Sequence, residues 1–156
     1  MVSPGVLGAF GGREVTLRAA TTADIDLLYG IYRAAYSPLT SGEWNDIEQS
    51  KSFHAGFPLE RARVIIAGSE VIGAIDAERR SDGWFLNNIE IRPDWQGRGI
   101  GSRLVGDLVA RAHREGHRVA LEVLKVNPAR RLYERLGFVV IGETDTHYLM
   151  RSAPAG

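Results

Sequence analysis

Ile89-Glu90-Ile91-Arg92-Pro93-Asp94-Trp95-Gln96-Gly97-Arg98-Gly99-Ile100-Gly101-Ser102-Arg103-Leu104-Val105 is the stretch that decides the fold. Its first residues continue an apolar, strand-like run from Phe85, and its last open an amphipathic helix reaching about Glu115. Between them lie three glycines at alternate positions, Gly97, Gly99 and Gly101. Glycine lets the backbone approach a ligand closely, and a helix start leaves N–H groups without intrahelical partners. Those donors sit at the positive end of the helix dipole, where a phosphate or pyrophosphate is favoured. The chain is therefore expected to hold a phosphate-bearing cofactor.

Working outward, Glu14–Arg18 alternates as a first strand, and Thr21 or Thr22 caps a helix with Asp24 in its first turn. Ile25, Leu28, Ile31, Tyr32 and Ala35 fall on one face of that helix, and Pro38 stops it. A less regular helix follows from Glu43 to about Phe53. Arg63–Ala67, Val71–Arg79 and Trp84–Arg92 read as strands, the last two joined by an Asp82-Gly83 hairpin signal. Ile100, Leu104, Leu108 and Ala112 make one buried stripe, and Gly116 ends the helix. Arg118–Val126 is a strand. Asn127-Pro128 is an N-cap with proline at the first helical position, and Gly137 closes that helix. Phe138–Gly142 and His147–Arg151 complete the strands. The order β-α-α-β-β-β-α-β-α-β-β makes a mixed α/β sheet with helices on its faces. Residues 1–12 read as a flexible glycine-rich lead, residues 13–151 as a single domain and residues 152–156 as a tail.

Composition narrows the function. The 156 residues carry 19 basic and 19 acidic side chains, which argues against nucleic-acid or anionic-membrane partners. No apolar run approaches the roughly 18 residues of a membrane span, and the N-terminus lacks the basic region of a secretory signal. A cytoplasmic location is the default expectation. The chain has no cysteine, which excludes disulfides, thiolate zinc sites and an acyl-cysteine intermediate. The four histidines show no metal-ligand spacing, so no metal is expected.

Among glycine loops, the Walker loop is absent. A Rossmann fingerprint would put its third glycine where Ser102 stands, and would follow the first strand rather than the fourth. The pattern that remains is [Q/R]-x-x-G-x-[G/A], matched by Gln96, Gly99 and Gly101.

In Ile89–Val105 and in Leu121–Phe138 (LEVLKVNPARRLYERLGF) the chain resembles the GNAT superfamily of acetyl-CoA-dependent N-acetyltransferases. The resemblance spans nearly everything from Glu14 to Arg151. It implies the acyl-CoA N-acyltransferase fold: a mixed, mostly antiparallel sheet of about six to seven strands flanked by about four helices. It also implies acetyl-CoA as cofactor. The pyrophosphate would lie on the amides of Gln96, Gly97, Arg98, Gly99, Ile100, Gly101 and Ser102, with the Arg98 side chain as a further contact. The pantetheine arm would pair with the strand backbone at Ile89 and Ile91 as an added strand does. A freed N–H there would polarise the thioester carbonyl. Asn127 would contact the pantetheine arm, Arg130 would lie at the cofactor, and the Tyr133 hydroxyl would protonate the departing thiolate. The Asn–Tyr spacing is one residue shorter than a common form of the family. Both residues also have structural readings, Asn127 as a cap and Tyr133 as packing beside Leu132 and Leu136.

An attacking amine must shed a proton, so a base is expected. Leu121-Glu122-Val123 resembles the ribosomal-protein N-terminal acetyltransferases, in which the Glu is the base. Glu90, between Ile89 and Ile91, is the alternative, its pKa raised if half buried. Either could simply face solvent. Trp44, His54 and His147 are candidates for the acceptor side. A primary amine of a small molecule or peptide is the expected substrate, and GNAT domains often form homodimers. Two other readings stay open: a weak GNAT domain serving as a CoA-binding sensor or scaffold, and a nucleotide-binding protein using the same loop.

Overall fold

The computed structural model describes residues 2–155. Eight strands form one sheet in the order β1-β2-β3-β4-β5-β6-β8-β7. They are β1 (Gly5–Phe10), β2 (Arg13–Ala19), β3 (Arg63–Ala67), β4 (Glu70–Arg80), β5 (Gly83–Ile91), β6 (Arg118–Leu124), β7 (Phe138–Glu143) and β8 (His147–Ser152). The helices are α1 (Ile25–Tyr36), α2 (Asp46–Ala55), α3 (Ile100–Arg114) and α4 (Arg130–Arg135). The strands divide between two compact units, which are described in turn.

The first unit holds the residues up to Asp76 together with Asn88–Ile100. Its strands β1 to β4 pair antiparallel in succession. The flexible lead expected over residues 1–12 is corrected here, because Gly5–Phe10 pairs with β2 from Gly5↔Leu17 to Phe10↔Arg13. The turn between them is Gly11-Gly12, with φ of 55° and 78°, a conformation glycine adopts without strain. This hairpin is why the strand count exceeds the expected six to seven. A bulge in β4 interrupts the β3–β4 register between the partners of Ile65 and Ile66.

Helix α1 starts as expected. Asp24 accepts a hydrogen bond from the Thr21 N–H at 2.8 Å and a bidentate pair from Arg18, both at 2.8 Å. Its Leu28 and Ile31 pack on Val64 and Ala74, with Phe53 and Phe57 at the margin. Helix α2 begins later than Glu43, at Asp46, with Asn45 Oδ1 accepting from the Glu48 N–H at 3.1 Å. It buries none of its residues. Polar side chains tie it to α1. Asp46 accepts from the Tyr29 hydroxyl at 2.6 Å, and His54 Nε2 meets Asp26 Oδ1 at 2.6 Å.

The second unit holds Ala77–Asn87 and the residues from Gly101 on. Parallel β5–β6 pairing runs only from Gly83↔Arg118 to Leu86↔Leu121. Strand β6 then pairs antiparallel with β8, and β8 with β7. Gly83 is required at its position: φ is 150°, and a Cβ there would meet the Arg118 carbonyl at 2.5 Å. The α3 stripe is buried as read, with Leu104, Leu108 and Ala112 at 4% exposure or less. Gly116, at φ 75°, ends it, and the His117 N–H reaches back to the Ala112 carbonyl at 2.8 Å.

Two further expectations are corrected. Ser152 belongs to β8 rather than to a tail, and its buried hydroxyl accepts from the Val119 N–H at 2.9 Å. Asn127 is not the N-cap of α4, which is Ala129. Asn127 Oδ1 accepts instead from the Ala129 N–H at 2.9 Å, an Asx turn that spends a residue before the helix begins.

Candidate active site

In the first unit, β5 ends at Ile91 and Pro93–Trp95 form a 3₁₀ turn seated by the buried Trp95. Gly97 and Gly99 follow with φ of 74° and 91°. Nothing lies within 4 Å of a Cβ built at either, so backbone conformation rather than space demands glycine there. Helix α3 starts at Ile100, and its first N–H groups have no intrahelical acceptors. This fits a pyrophosphate: a run of amide donors behind two left-handed glycines at a helix N-terminus. Arg98 is drawn back over the Trp95 ring at 4.3 Å and donates to the Asp94 carbonyl at 3.0 Å. Gly11 of the N-terminal hairpin lies against it, and a Cβ there would collide with Arg98 Nη1.

The backbone at Ile89 and Ile91 is engaged by side chains. The Tyr36 hydroxyl donates to the Ile89 carbonyl at 3.0 Å, and Gln96 Nε2 donates to the Ile91 carbonyl at 2.9 Å.

Glu90 lies between them with its side chain buried, at 2% exposure. Oε1 accepts from Asn88 Nδ2 at 3.2 Å. Oε2 is buried and has no hydrogen-bond partner among the described residues. Burial pushes this carboxyl up to about 8, and the Asn88 hydrogen bond opposes that only in part. The Tyr32 phenol is also raised, first by burial and then by the Glu90 charge. Tyr32 belongs to a continuous group of rings. Tyr36 lies 4.8 Å from it, Phe53 5.1 Å and Trp44 5.8 Å, centroid to centroid.

Trp44 Nε1 donates to Asp46 at 3.4 Å. His54 is held at both ring nitrogens, by Asp26 and by the Ser50 carbonyl at 2.7 Å. These acceptors raise its pKa, Asp26 most.

In the second unit, Tyr133 is buried at 6% exposure with its ring 5.8 Å from Phe138. Burial pushes the phenol up to about 12. Glu122 is exposed on β6, in register with Leu149. His147 pairs with Leu124, and its Nδ1 lies 2.8 Å from Thr146 Oγ1. Arg130 stacks over Tyr148 at 4.9 Å and bonds Glu134 at 2.9 Å.

The first unit thus brings Ile89, Glu90, Ile91 and Gln96 together, and the second gathers Arg130 near the strand of His147. Sequence reasoning missed Tyr32, Tyr36 and Asn88 as neighbours of Glu90. Their signal was present: two tyrosines four apart on one helix face, and two polar residues two apart on one strand face. No cluster of three metal-ligating side chains occurs among the described residues. No helix among them is long and apolar enough to cross a membrane.

Comparison with known proteins bears on this arrangement. The Acetyltransferase (GNAT) family model matches residues 25–138. The [ribosomal protein bS18]-alanine N-acetyltransferase of Haemophilus influenzae is 34% identical over 85 residues, which cover 54% of this chain and 58% of that relative. The fold is similar to that of PaiA N-acetyltransferase from Thermoplasma acidophilum, solved in complex with coenzyme A. That match has a TM-score of 0.72 at 16% identity and covers 88% of this chain and 98% of that one. The ribosomal-protein-S18-alanine N-acetyltransferase of Escherichia coli matches at a TM-score of 0.67 and 23% identity, covering 91% and 94%.

Proposed function

The chain belongs to the acetyltransferase (GNAT) family, and from that premise we propose that it moves an acetyl group from acetyl-CoA to the primary amine of a small molecule or peptide, by direct attack. The buried, half-satisfied carboxyl of Glu90 carries this reading. A general base works best with a pKa near the operating pH, and burial brings Glu90 there. Glu90 is therefore the preferred proton acceptor. Glu122, exposed on β6, is the second candidate, favoured by the Leu-Glu-Val context.

The amides from Gln96 to Ser102 and the Arg98 guanidinium would hold the cofactor's phosphates, and the β5 backbone at Ile89 and Ile91 would hold its arm. When bound, acetyl-CoA supplies an activated acyl thioester. Tyr36 and Gln96 hydrogen-bond the Ile89 and Ile91 carbonyls, so an incoming arm competes with the Gln96 carboxamide in particular. The Tyr133 hydroxyl keeps its proton through the neutral range and can give it to a thiolate. A peptide amine as acceptor draws support from the name of the Haemophilus relative.

The test is thermal stability with acetyl-CoA, CoA and ATP, followed by thiol release across an amine panel. A ligand that binds only the native state adds about 2.7 kcal/mol at a hundredfold excess over Kd. Stabilisation by both CoA species but not ATP, with turnover on an amine, is expected. No stabilisation by either CoA species would sink the proposal. CoA binding without turnover on any amine would leave a sensor or scaffold.

A further inference from the structure

A carboxylate oxygen buried without a donor is costly, and native structures rarely leave one without a reason. Glu90 Oε2 is such an atom. Its companion oxygen is fixed by Asn88, whose Oδ1 lies 3.3 Å from the Tyr36 hydroxyl. The carboxyl is thereby oriented with one oxygen committed and one free. The groups facing it are the Tyr32 phenol from α1 and the Asn88 carboxamide from its own strand. Strand β4 meets the Glu90 backbone at Gly73, which has no side chain, and a Cβ there would collide with the Glu90 carbonyl. No cation offsets the burial of Glu90 among the described residues.

We propose that Glu90 Oε2, with the Tyr32 ring facing it and the Tyr36 and Trp44 rings continuing from Tyr32, is the ammonium subsite of the acceptor, and that it takes a primary ammonium on an apolar or aromatic body with no carboxylate next to the amine. The inference rests on the acetyltransferase reading only in naming this ligand the acceptor. An ammonium supplies the missing donor and offsets the charge that the carboxyl takes on as it gives up its proton. The half-buried rings offer it π faces and offer its body apolar surface. A carboxylate beside the amine would lie near a like charge with no cation to offset it, which disfavours free amino acids. Peptide N-termini and simple amines meet the condition.

A balanced proton count follows. Without an ammonium beside it, Glu90 holds its proton through pH 7. Loading an ammonium makes an ammonium–carboxylate pair and sends the carboxyl proton to solvent.

The experiment is calorimetric titration of the full chain at pH 7 in phosphate and in Tris. The probes are 2-phenylethylamine, 2-phenylethanol (the same body uncharged) and phenylalanine (the same body with a carboxylate). The amine should bind about tenfold or more tighter than either analogue, and the buffer dependence should report close to one proton released. In Glu90→Gln the amine should lose about tenfold, 2-phenylethanol should be unaffected, and proton release should vanish. Trp44→Leu, outside the strand, should weaken the amine a few-fold and leave proton release intact. Equal amine binding by wild type and Glu90→Gln would overturn the proposal. So would phenylalanine binding as well as the amine, or no amine binding to wild type. If Glu90→Gln does not fold, Trp44→Leu and the proton count in wild type decide. Acetyl-CoA stabilisation, measured on the same samples, judges the wider reading separately.

Discussion

Replacing Glu90 by Gln should remove a specific dependence of stability on pH. Unfolded, this carboxyl titrates near its ordinary 4.5; folded, near 8. Below the first value both states hold the proton, and Glu90 does not affect the balance. Between the two values the unfolded chain releases it and the folded chain does not, so stability falls as pH rises. Above the second value the loss is complete and constant. Each pH unit in that window removes about 1.4 kcal/mol, giving an upper bound of about 5 kcal/mol and about 2–3 kcal/mol after solvent relaxation around the charge. The Gln side chain is near-isosteric and does not titrate. Its own unpaired amide atom adds a pH-independent offset of about 1–3 kcal/mol. His54 also loses stabilisation as pH rises, because its folded pKa is raised. The informative quantity is therefore the difference between wild type and variant, which cancels His54. Urea unfolding every half unit from pH 4 to pH 9 measures it. Glu90→Gln should gain on wild type steadily through the window and then level. A flat difference between pH 5 and pH 8 would refute the reasoning, and with it a neutral Glu90 in the folded protein.

Tyr133→Phe should cut turnover by about a hundredfold with acetyl-CoA affinity changed by less than about threefold; steady-state kinetics with a binding titration would expose a packing role as a comparable loss in both. Gly83→Ala should destabilise by about 3 kcal/mol or more, since the new Cβ meets a ladder carbonyl at 2.5 Å and φ is 150°; a variant within about 1 kcal/mol of wild type in urea would contradict the register. Arg18 holds Asp24 down to about 2. That depressed carboxylate contributes stability above its ordinary 3.8 which is lost as pH falls toward 2, so Arg18→Ala should unfold at higher pH in acid titration, losing about 1 kcal/mol at neutrality, where Arg18 is 42% exposed. An unmoved acid midpoint would count against it.

How far the sequence reached can be judged from particular segments. Strand β2 and helix α3 were legible because their apolar residues recur with periods of two and 3.6, and β3 to β8 as apolar runs bounded by turn residues. Strand β1 was not, because Gly5, Gly8, Gly11 and Gly12 read as breakers; all four have positive φ, and the pairing comes from β2. The start of α2 was obscure because that helix buries nothing and so shows no apolar stripe. Glu90 and Glu122 are alike in sequence, each set between aliphatic residues of a strand. One is 2% exposed and the other open to solvent. The difference lies in what covers each face of the sheet, as α1 does at Glu90 through Tyr32 and Tyr36, and alternation along a strand does not encode that.

Helix α2 contributes Phe53 to the ring group beside Glu90, yet rests on α1 through side-chain clasps at its two ends and buries no residue. A segment with so little apolar burial opens locally at far lower free energy than the strands, and its amides exchange early with solvent. The same economy bears on evolution. Substitutions along α2 draw little on the stability of the sheet, so its sequence can drift while Glu90 and the glycine loop stay in place. The fold thus sets the tightly packed strand of Glu90 beside an inexpensive, replaceable wall.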